Sequence, residues 1–146
     1  MIYPLILSAS LLASPIWAAG DAGMVKTLKG NVMIERGGQR QNASVGTPVQ
    51  AADRIVTGAD SSVGITLQDN TRLTAGPNST LDLNKFAFDT TTHAGTVDAS
   101  VKRGSLAVIS GKIAKATPQN VRFATNTVTL GVRGTSFIIE AGGEEK

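Results

Sequence analysis

The chain has 146 residues, with 14 Lys and Arg against 11 Asp and Glu for a formal charge of +3, and it contains no cysteine. That length suits one domain with a core that needs no staples, and the missing cysteines exclude disulfides, thiolate nucleophiles and Cys-based metal sites together. The basic residues are scattered singly, Lys102-Arg103 being the one adjacent pair; this is the pattern of a soluble surface and not the stripe of a nucleic-acid binder.

Residues 1–20 carry no charged side chain, and residues 5–13 form an apolar stretch interrupted only by Ser8 and Ser10. Pro15 breaks the stretch, and Ala18-Ala19 follow as small residues at a processing point. This is the layout of a secretory signal peptide over residues 1–19, which predicts a periplasmic or secreted protein. The stretch is too short for a transmembrane helix, which needs about 20 apolar residues. Two features depart from the ideal: the first four residues hold no Lys or Arg, and cleavage after Ala18 puts Ile16 at the −3 position. Trp17 and Tyr3 both lie in this segment, so cleavage leaves Phe86, Phe88, Phe123 and Phe137 as the only aromatic residues.

Beyond Gly20 the chain is dominated by Val, Ile and Thr in short runs bounded by Gly, Asn and Asp. Val32 and Ile34 share a face ahead of a Gly37-Gly38 turn. Val63, Ile65 and Leu67 alternate with Gly64, Thr66 and Gln68. Asp69-Asn70 then suits a tight hairpin turn, and Leu73 resumes the apolar face. Gly76-Pro77-Asn78-Ser79 marks the next turn, and Leu81 and Leu83 alternate with Asp82 and Asn84. In the second half Val97, Ala99 and Val101 alternate, and residues 106–109 form an apolar run that suits a strand covered on both faces. Val121 and Phe123 point one way, as do Val128, Leu130 and Val132; residues 135–139 close the domain.

No window shows a sustained helical period with capping signals. Residues 89–95 and 111–120 read as exposed loops. The expectation is an all-β fold of packed antiparallel sheets, sandwich- or solenoid-like, over residues 24–140, followed by a polar tail at 141–146.

The search for chemistry returns little. His93 is the sole histidine, without a second His or Cys to complete a metal site. No Gly-x-Ser-x-Gly elbow is present, so no serine nucleophile is identified. Asp53, Asp60, Asp69 and Asp82 fall at turns or in short strands expected at edges, where Asx side chains bond nearby backbone N–H groups. A processed chain without Trp or Tyr lacks the platforms on which sugars or unpaired bases stack. Gly131-Val132-Arg133-Gly134-Thr135 lacks the ending of a phosphate loop. Its glycines permit a bend, and Arg133 is expected to bridge loops or pair with a carboxylate such as Asp53 or Asp69. No catalytic residue, metal ligand or cofactor is predicted.

Taken together, four blocks resemble the FecR domain, the periplasmic module of iron-dicitrate-type sigma-factor regulators. They are Gly30-Asn31-Val32 with Val45-Gly46 and Val49; Asp53-Arg54-Ile55-Val56-Thr57-Gly58 through Val63; Leu67-Gln68-Asp69-Asn70 with Pro77-Asn78-Ser79-Thr80-Leu81; and Phe123 through Gly131-Val132-Arg133-Gly134-Thr135-Ser136-Phe137. The motif positions carried by the likeness are Asp53, Thr57, Gly58, Asp69, Asn78, Ser79, Arg133, Gly134 and Thr135, all expected to be structural. Ala52 and Asn70 stand where the family pattern has glycine, and a proline expected near Asn126-Thr127 is missing. Asn accepts left-handed backbone, so the hairpin is expected to survive.

The resemblance implies packed sheets with solenoid-like stacking and a role in protein–protein signalling across the envelope. A full regulator of this type adds a cytoplasmic anti-sigma region, a transmembrane helix and a C-terminal module that meets an outer-membrane transporter. With a signal peptide in place of the cytoplasmic part, no direct contact with a sigma factor is expected. The leading expectation is an exported, non-enzymatic module that binds an envelope protein. The alternative is a scaffold or ligand-binding protein for cell-wall or exported polysaccharide.

Overall fold

A computed structural model describes residues 21–127, 129–131 and 136–141. Residues 1–20, with the expected signal peptide, and Val128, Val132, Arg133, Gly134, Thr135 and residues 142–146 lie outside the described residues. Twelve strands run in order: β1 (Asp21–Lys29), β2 (Val32–Arg36), β3 (Gln39–Asn42), β4 (Pro48–Gln50), β5 (Arg54–Thr57), β6 (Ser62–Leu67), β7 (Arg72–Ala75), β8 (Thr80–Phe88), β9 (Gly95–Ile109), β10 (Val121–Ala124), β11 (Thr129–Gly131) and β12 (Ser136–Ala141). A short helix α1 (Lys112–Ala116) and a 3-10 turn (Pro118–Asn120) separate β9 from β10. The all-β expectation holds.

The strands form one sheet in the order β3-β2-β5-β8-β9-β7-β6-β1-β4, and β9 is its hinge. The N-terminal part of β9 pairs with β8 and the part beyond Gly104 pairs with β7. Gly104 itself has φ +84°, a left-handed value natural to glycine, and there the long strand turns from one layer into the other. The chain makes the same passage between β1 and β2, β5 and β6, and β7 and β8. The result is a folded sheet whose two layers share one line of corners. That joins the two expected arrangements: sandwich packing inside, stacked turns along one end.

Alternation decides what the layers enclose. Along β6 every second residue is buried, Val63, Ile65 and Leu67; on β7 the buried pair is Leu73 and Ala75, and on β8 Leu81 and Leu83. These side chains join Val32, Ile34, Ile55, Val97, Ala99 and Phe123 in a single apolar cluster drawn from both layers. At the far side Phe123 of β10 and Phe137 of β12 meet edge to face, with ring centroids 5.5 Å apart.

Four details differ from the sequence expectation. Residues 111–120, read as a loop, contain α1 and the 3-10 turn. β10 lies parallel to β9, with Val121 opposite Val97, so that stretch is a crossover and not a simple loop. The apolar run at 106–109 is not covered on both faces, because Ile109 is 48% exposed. Asp82 lies on β8, an interior strand paired with β5 and β9, and not at an edge.

Candidate functional site

The corners are held by a polar seam. The Ser61 hydroxyl accepts from the Asn31 N–H at 2.9 Å, and the Gly58 N–H donates to the Asn31 carbonyl at 3.0 Å. One step along, the Thr57 hydroxyl donates to the Gly76 carbonyl at 2.6 Å and accepts from the Ser79 N–H at 2.8 Å, while the Asn78 N–H donates to the Gly58 carbonyl. The Ser79 hydroxyl then accepts from the Ser105 N–H at 3.0 Å beside Gly104. Thr57, Ser61 and Ser79 are buried. Small hydroxyl side chains suit this line because a strand that changes layers interrupts its own ladder, and the freed backbone groups need partners. Four of the motif residues, Thr57, Gly58, Asn78 and Ser79, therefore stand together in the seam.

Asp53 and Asp69 stand at the opposite end. Asp53 immediately precedes β5, after the turn from β4. Its carboxylate receives Arg36 Nε at 2.8 Å and Nη2 at 2.7 Å, plus the Gln50 N–H at 2.8 Å. This bidentate hydrogen bonding raises the Arg36 pKa above its ordinary value, burial opposing only in part. Among the described residues the cation on Asp53 is Arg36, where the sequence had offered Arg133.

Asp69, also fully buried, is held among the described residues by uncharged donors. Its oxygens accept from the Thr71 N–H at 3.0 Å, the Thr71 hydroxyl at 2.7 Å and the Ile113 N–H at 3.1 Å, and its carbonyl accepts from the Lys112 N–H at 2.8 Å. It thus holds the first turn of α1, whose Ile113 side chain is buried in the core. The other end of α1 is tied to β9, where the Thr117 hydroxyl accepts from the Gly95 N–H and donates to the Gly95 carbonyl. Helix α1 is a plug closing the gap between the layers, pinned to each.

Two further acidic groups, Asp82 and Asp89, are also engaged. Asp82 takes Arg54 Nε at 2.7 Å and Nη2 at 3.0 Å, which raises the Arg54 pKa. The Thr92 and Thr91 backbone N–H groups hold the Asp89 pKa below the usual carboxylate value. His93 lies against Phe88 with ring centroids 6.0 Å apart, in the loop expected for it. Among the described residues no group of three His, Cys, Asp or Glu side chains converges as a metal site, and no helix is long and apolar enough to cross a membrane. A cavity of about 790 Å³ beside β10 and β11 is lined by Pro118, Gln119, Arg122, Thr129 and Leu130, without a carboxylate or an imidazole.

The stretch that carries Asp53, most of the seam and the plug is also the stretch that matches a known family: residues 53–146 match the family described as FecR protein. The chain belongs to the FecR family. FecR proteins are regulatory and non-catalytic, and they act in signalling at the cell envelope. No curated protein and no solved structure matches the chain.

In this FecR-family chain the motif residues sort to the two ends of the folded sheet, leaving the outer faces to other side chains. On the outer face of the layer containing β12, Ile138 is 70% exposed and Ile109 48%. Ile109 sits opposite Ser136 and Ile138 opposite Ala107, so the two isoleucines are diagonal neighbours on one face, ~7 Å apart. Farther along that face, Lys26, Thr27, Gly64, Thr66, Arg72 and Thr74 line a shallow depression of about 400 Å³. Sequence reasoning missed this group because its members look like scattered surface residues. The one available signal was Gly64 within an otherwise alternating strand, since a strand glycine marks close approach; a Cβ there would collide with Thr27 Oγ1.

Proposed function

We propose that this protein is a non-catalytic, protein-binding signalling module of the bacterial envelope, exported by its N-terminal segment and built as one domain over residues 24–140. Family membership supports the signalling role. The engagement of Asp53, Asp69 and Asp82 in structural bonds supports the absence of catalysis, since each conspicuous acid already has its partners. In this reading the motif residues Asp53, Thr57, Gly58, Asp69, Asn78, Ser79, Arg133, Gly134 and Thr135 serve the fold and not a reaction.

The observation that carries the binding function is the exposed pair Ile109 and Ile138 beside the β12 edge. The opposite flank is blunted: β3 is wholly polar and exposed, and β4 opens with Pro48. Polar side chains and proline are the usual protection of a free edge, and β12 (Ser-Phe-Ile-Ile-Glu-Ala) has little of it. Affinity capture from envelope extracts, with wild type and Ile138→Asp compared, tests the reading. A specific protein retained by the wild type and lost from the variant is the expected result. Equal recovery by both, or no specific protein from either, would overturn it.

Export has its own check. Cleavage near Ala18-Ala19 removes Trp17 and Tyr3, so the processed protein absorbs almost nothing at 280 nm; retained Trp absorbance in the envelope fraction contradicts processing.

A further inference from the structure

The depression on the outer face lies beside an irregularity. Between Val25, opposite Ile65, and Thr27, opposite Gly64, the pairing of β1 with β6 slips by one residue. Lys26 is the extra residue, and both it and Thr27 are exposed. Lys26 faces outward because it follows the buried Val25, and the bulge lets its neighbour Thr27 face outward as well. Lys26 shares the depression with Arg72 of β7, two strands away, about 10 Å. Lys29, farther along β1, is exposed as well.

No carboxylate lines this depression, and neither Lys26 nor Arg72 forms an ion pair among the described residues. The outer face of the other layer is different. There Asp82 is neutralised by Arg54 and Glu35 by Arg40, and Asp98 adds a further acid. The two faces of the folded sheet thus differ: on one, cations are interleaved with acids, Asp98 standing opposite both Lys85 and Arg122, and on the other Lys26 and Arg72 line a depression with no carboxylate among its described residues. Among the described residues the strand acids of this layer are Asp21, at the start of β1 opposite Gln50, and Glu140 of β12, opposite Ser105.

Position relates the cations to the apolar pair. Arg72 stands directly opposite Ile109, which stands directly opposite Ser136, with Ile138 on the diagonal. A strip crossing β1, β6, β7, β9 and β12 therefore runs from Lys26 and Arg72, with threonine hydroxyls between them, to Ile109 and Ile138. Its span is about 19 Å at ~4.8 Å per strand, the length of roughly six extended residues.

We propose that this strip is the docking surface for an acidic segment of the partner protein, its carboxylates meeting Lys26 and Arg72 and its aliphatic side chains resting on Ile109 and Ile138. This deepens the protein-binding reading and rests on it. The charge of the depression selects an anionic partner, and the adjoining aliphatic surface selects a protein segment over an acidic polysaccharide. The strip offers no aromatic platform, the one aromatic of β12 being Phe137, which packs on Phe123.

Fluorescence anisotropy on the full chain tests the proposal with three probes. These are a labelled peptide reading Glu-Ser-Glu-Ser-Val-Ser-Val, the same peptide with lysine for glutamate, and an oligogalacturonate. The first should bind, at least tenfold more tightly than the second and the third, and should weaken at least tenfold in the Lys26→Glu/Arg72→Glu double variant. Both substitutions are at exposed positions, and an unchanged urea midpoint confirms that the fold is intact. Absence of peptide binding, equal binding of both peptides, preference for the oligogalacturonate or indifference to the double variant would each overturn the proposal. The capture experiment separates the two claims: a protein lost with Ile138→Asp but retained by Lys26→Glu/Arg72→Glu sinks the electrostatic strip and leaves the module's protein-binding role standing.

Discussion

The Arg36 guanidinium grips both carboxylate oxygens of Asp53, at 2.8 and 2.7 Å, across 17 residues of sequence. The pair is unequal in exposure, the Arg36 side chain being 37% exposed and the Asp53 side chain fully buried. Removing one partner therefore costs different amounts. Without Arg36 a buried carboxylate keeps only the Gln50 N–H, whereas without the Asp53 charge the guanidinium can turn toward water. Arg36→Met is expected to destabilise by about 3 kcal/mol and Asp53→Asn by about 1.5 kcal/mol, after discounting for solvent screening. Urea denaturation of both variants checks the order; equal costs would contradict it.

Asp69 joins the β6–β7 turn to α1, 44 residues later. Asp69→Ala strands the Thr71 and Ile113 donors and should cost about 3 kcal/mol, while Asp69→Asn retains an acceptor and should cost about half of that. The plug should also loosen locally. Limited trypsin digestion is expected to cut at Lys112 and Lys115 faster in the Ala variant than in an equally destabilised core variant.

Ala52 has φ +75°, in the left-handed region that costs an L-residue ~1 kcal/mol or more. This is the position where the family pattern has glycine. Ala52→Gly is expected to stabilise the protein by about 1 kcal/mol, less the added unfolded-state entropy of glycine. Asn70 has a similar φ of +71°, yet Asn accepts that conformation, so Asn70→Gly should change stability by less than ~0.5 kcal/mol. Thermal midpoints of the two variants provide the comparison.

At the hinge of β9, a Cβ on Gly104 would sit 2.6 Å from Ser79 Cα and 2.7 Å from its Cβ. Gly104→Ala therefore combines backbone strain with a collision in the seam, and a loss of about 3 kcal/mol or more is expected. Adding Ser79→Gly relieves part of the collision, so the double variant should cost less than the sum of the single variants. Strict additivity would show that the contact does not limit this corner.

The Asp89 carboxylate is held below its ordinary pKa by the Thr92 and Thr91 N–H groups. A depressed folded-state pKa means that its contribution is present above the unfolded value, ~3.9, and is lost as pH falls through the folded value. NMR titration of the Thr91 and Thr92 amides should show a midpoint below ~3.9, abolished by Asp89→Ala. A midpoint at or above the ordinary value would show that these bonds do not form in solution.

The strands were legible because a two-residue period shows in side-chain chemistry: Val63, Ile65 and Leu67 had to share a face whatever they packed against. Hairpin turns were equally local, since Gly37-Gly38 and Asn70 are residue types that accept the left-handed backbone they adopt. The plug was not legible. Five residues make too short a helix to show a period, and α1 depends on Asp69, which is distant in sequence. The parallel placement of β10 was hidden for a related reason, because nothing in its four residues names the strand beside it.

The sequence by itself determined the all-β class, the FecR likeness and the faces of most strands, all properties written in neighbouring residues. Only the tertiary structure decided which residues meet: Arg36 with Asp53, Asp69 with α1, Lys26 with Arg72, and Ile109 with Ile138. Each such meeting depends on sheet order and register, which the side-chain period of a single strand does not reveal. The motif positions that can be described went to the ends of the folded sheet, where a chain changing layers must satisfy its backbone. The surface we propose for binding lies on the outer face between those ends.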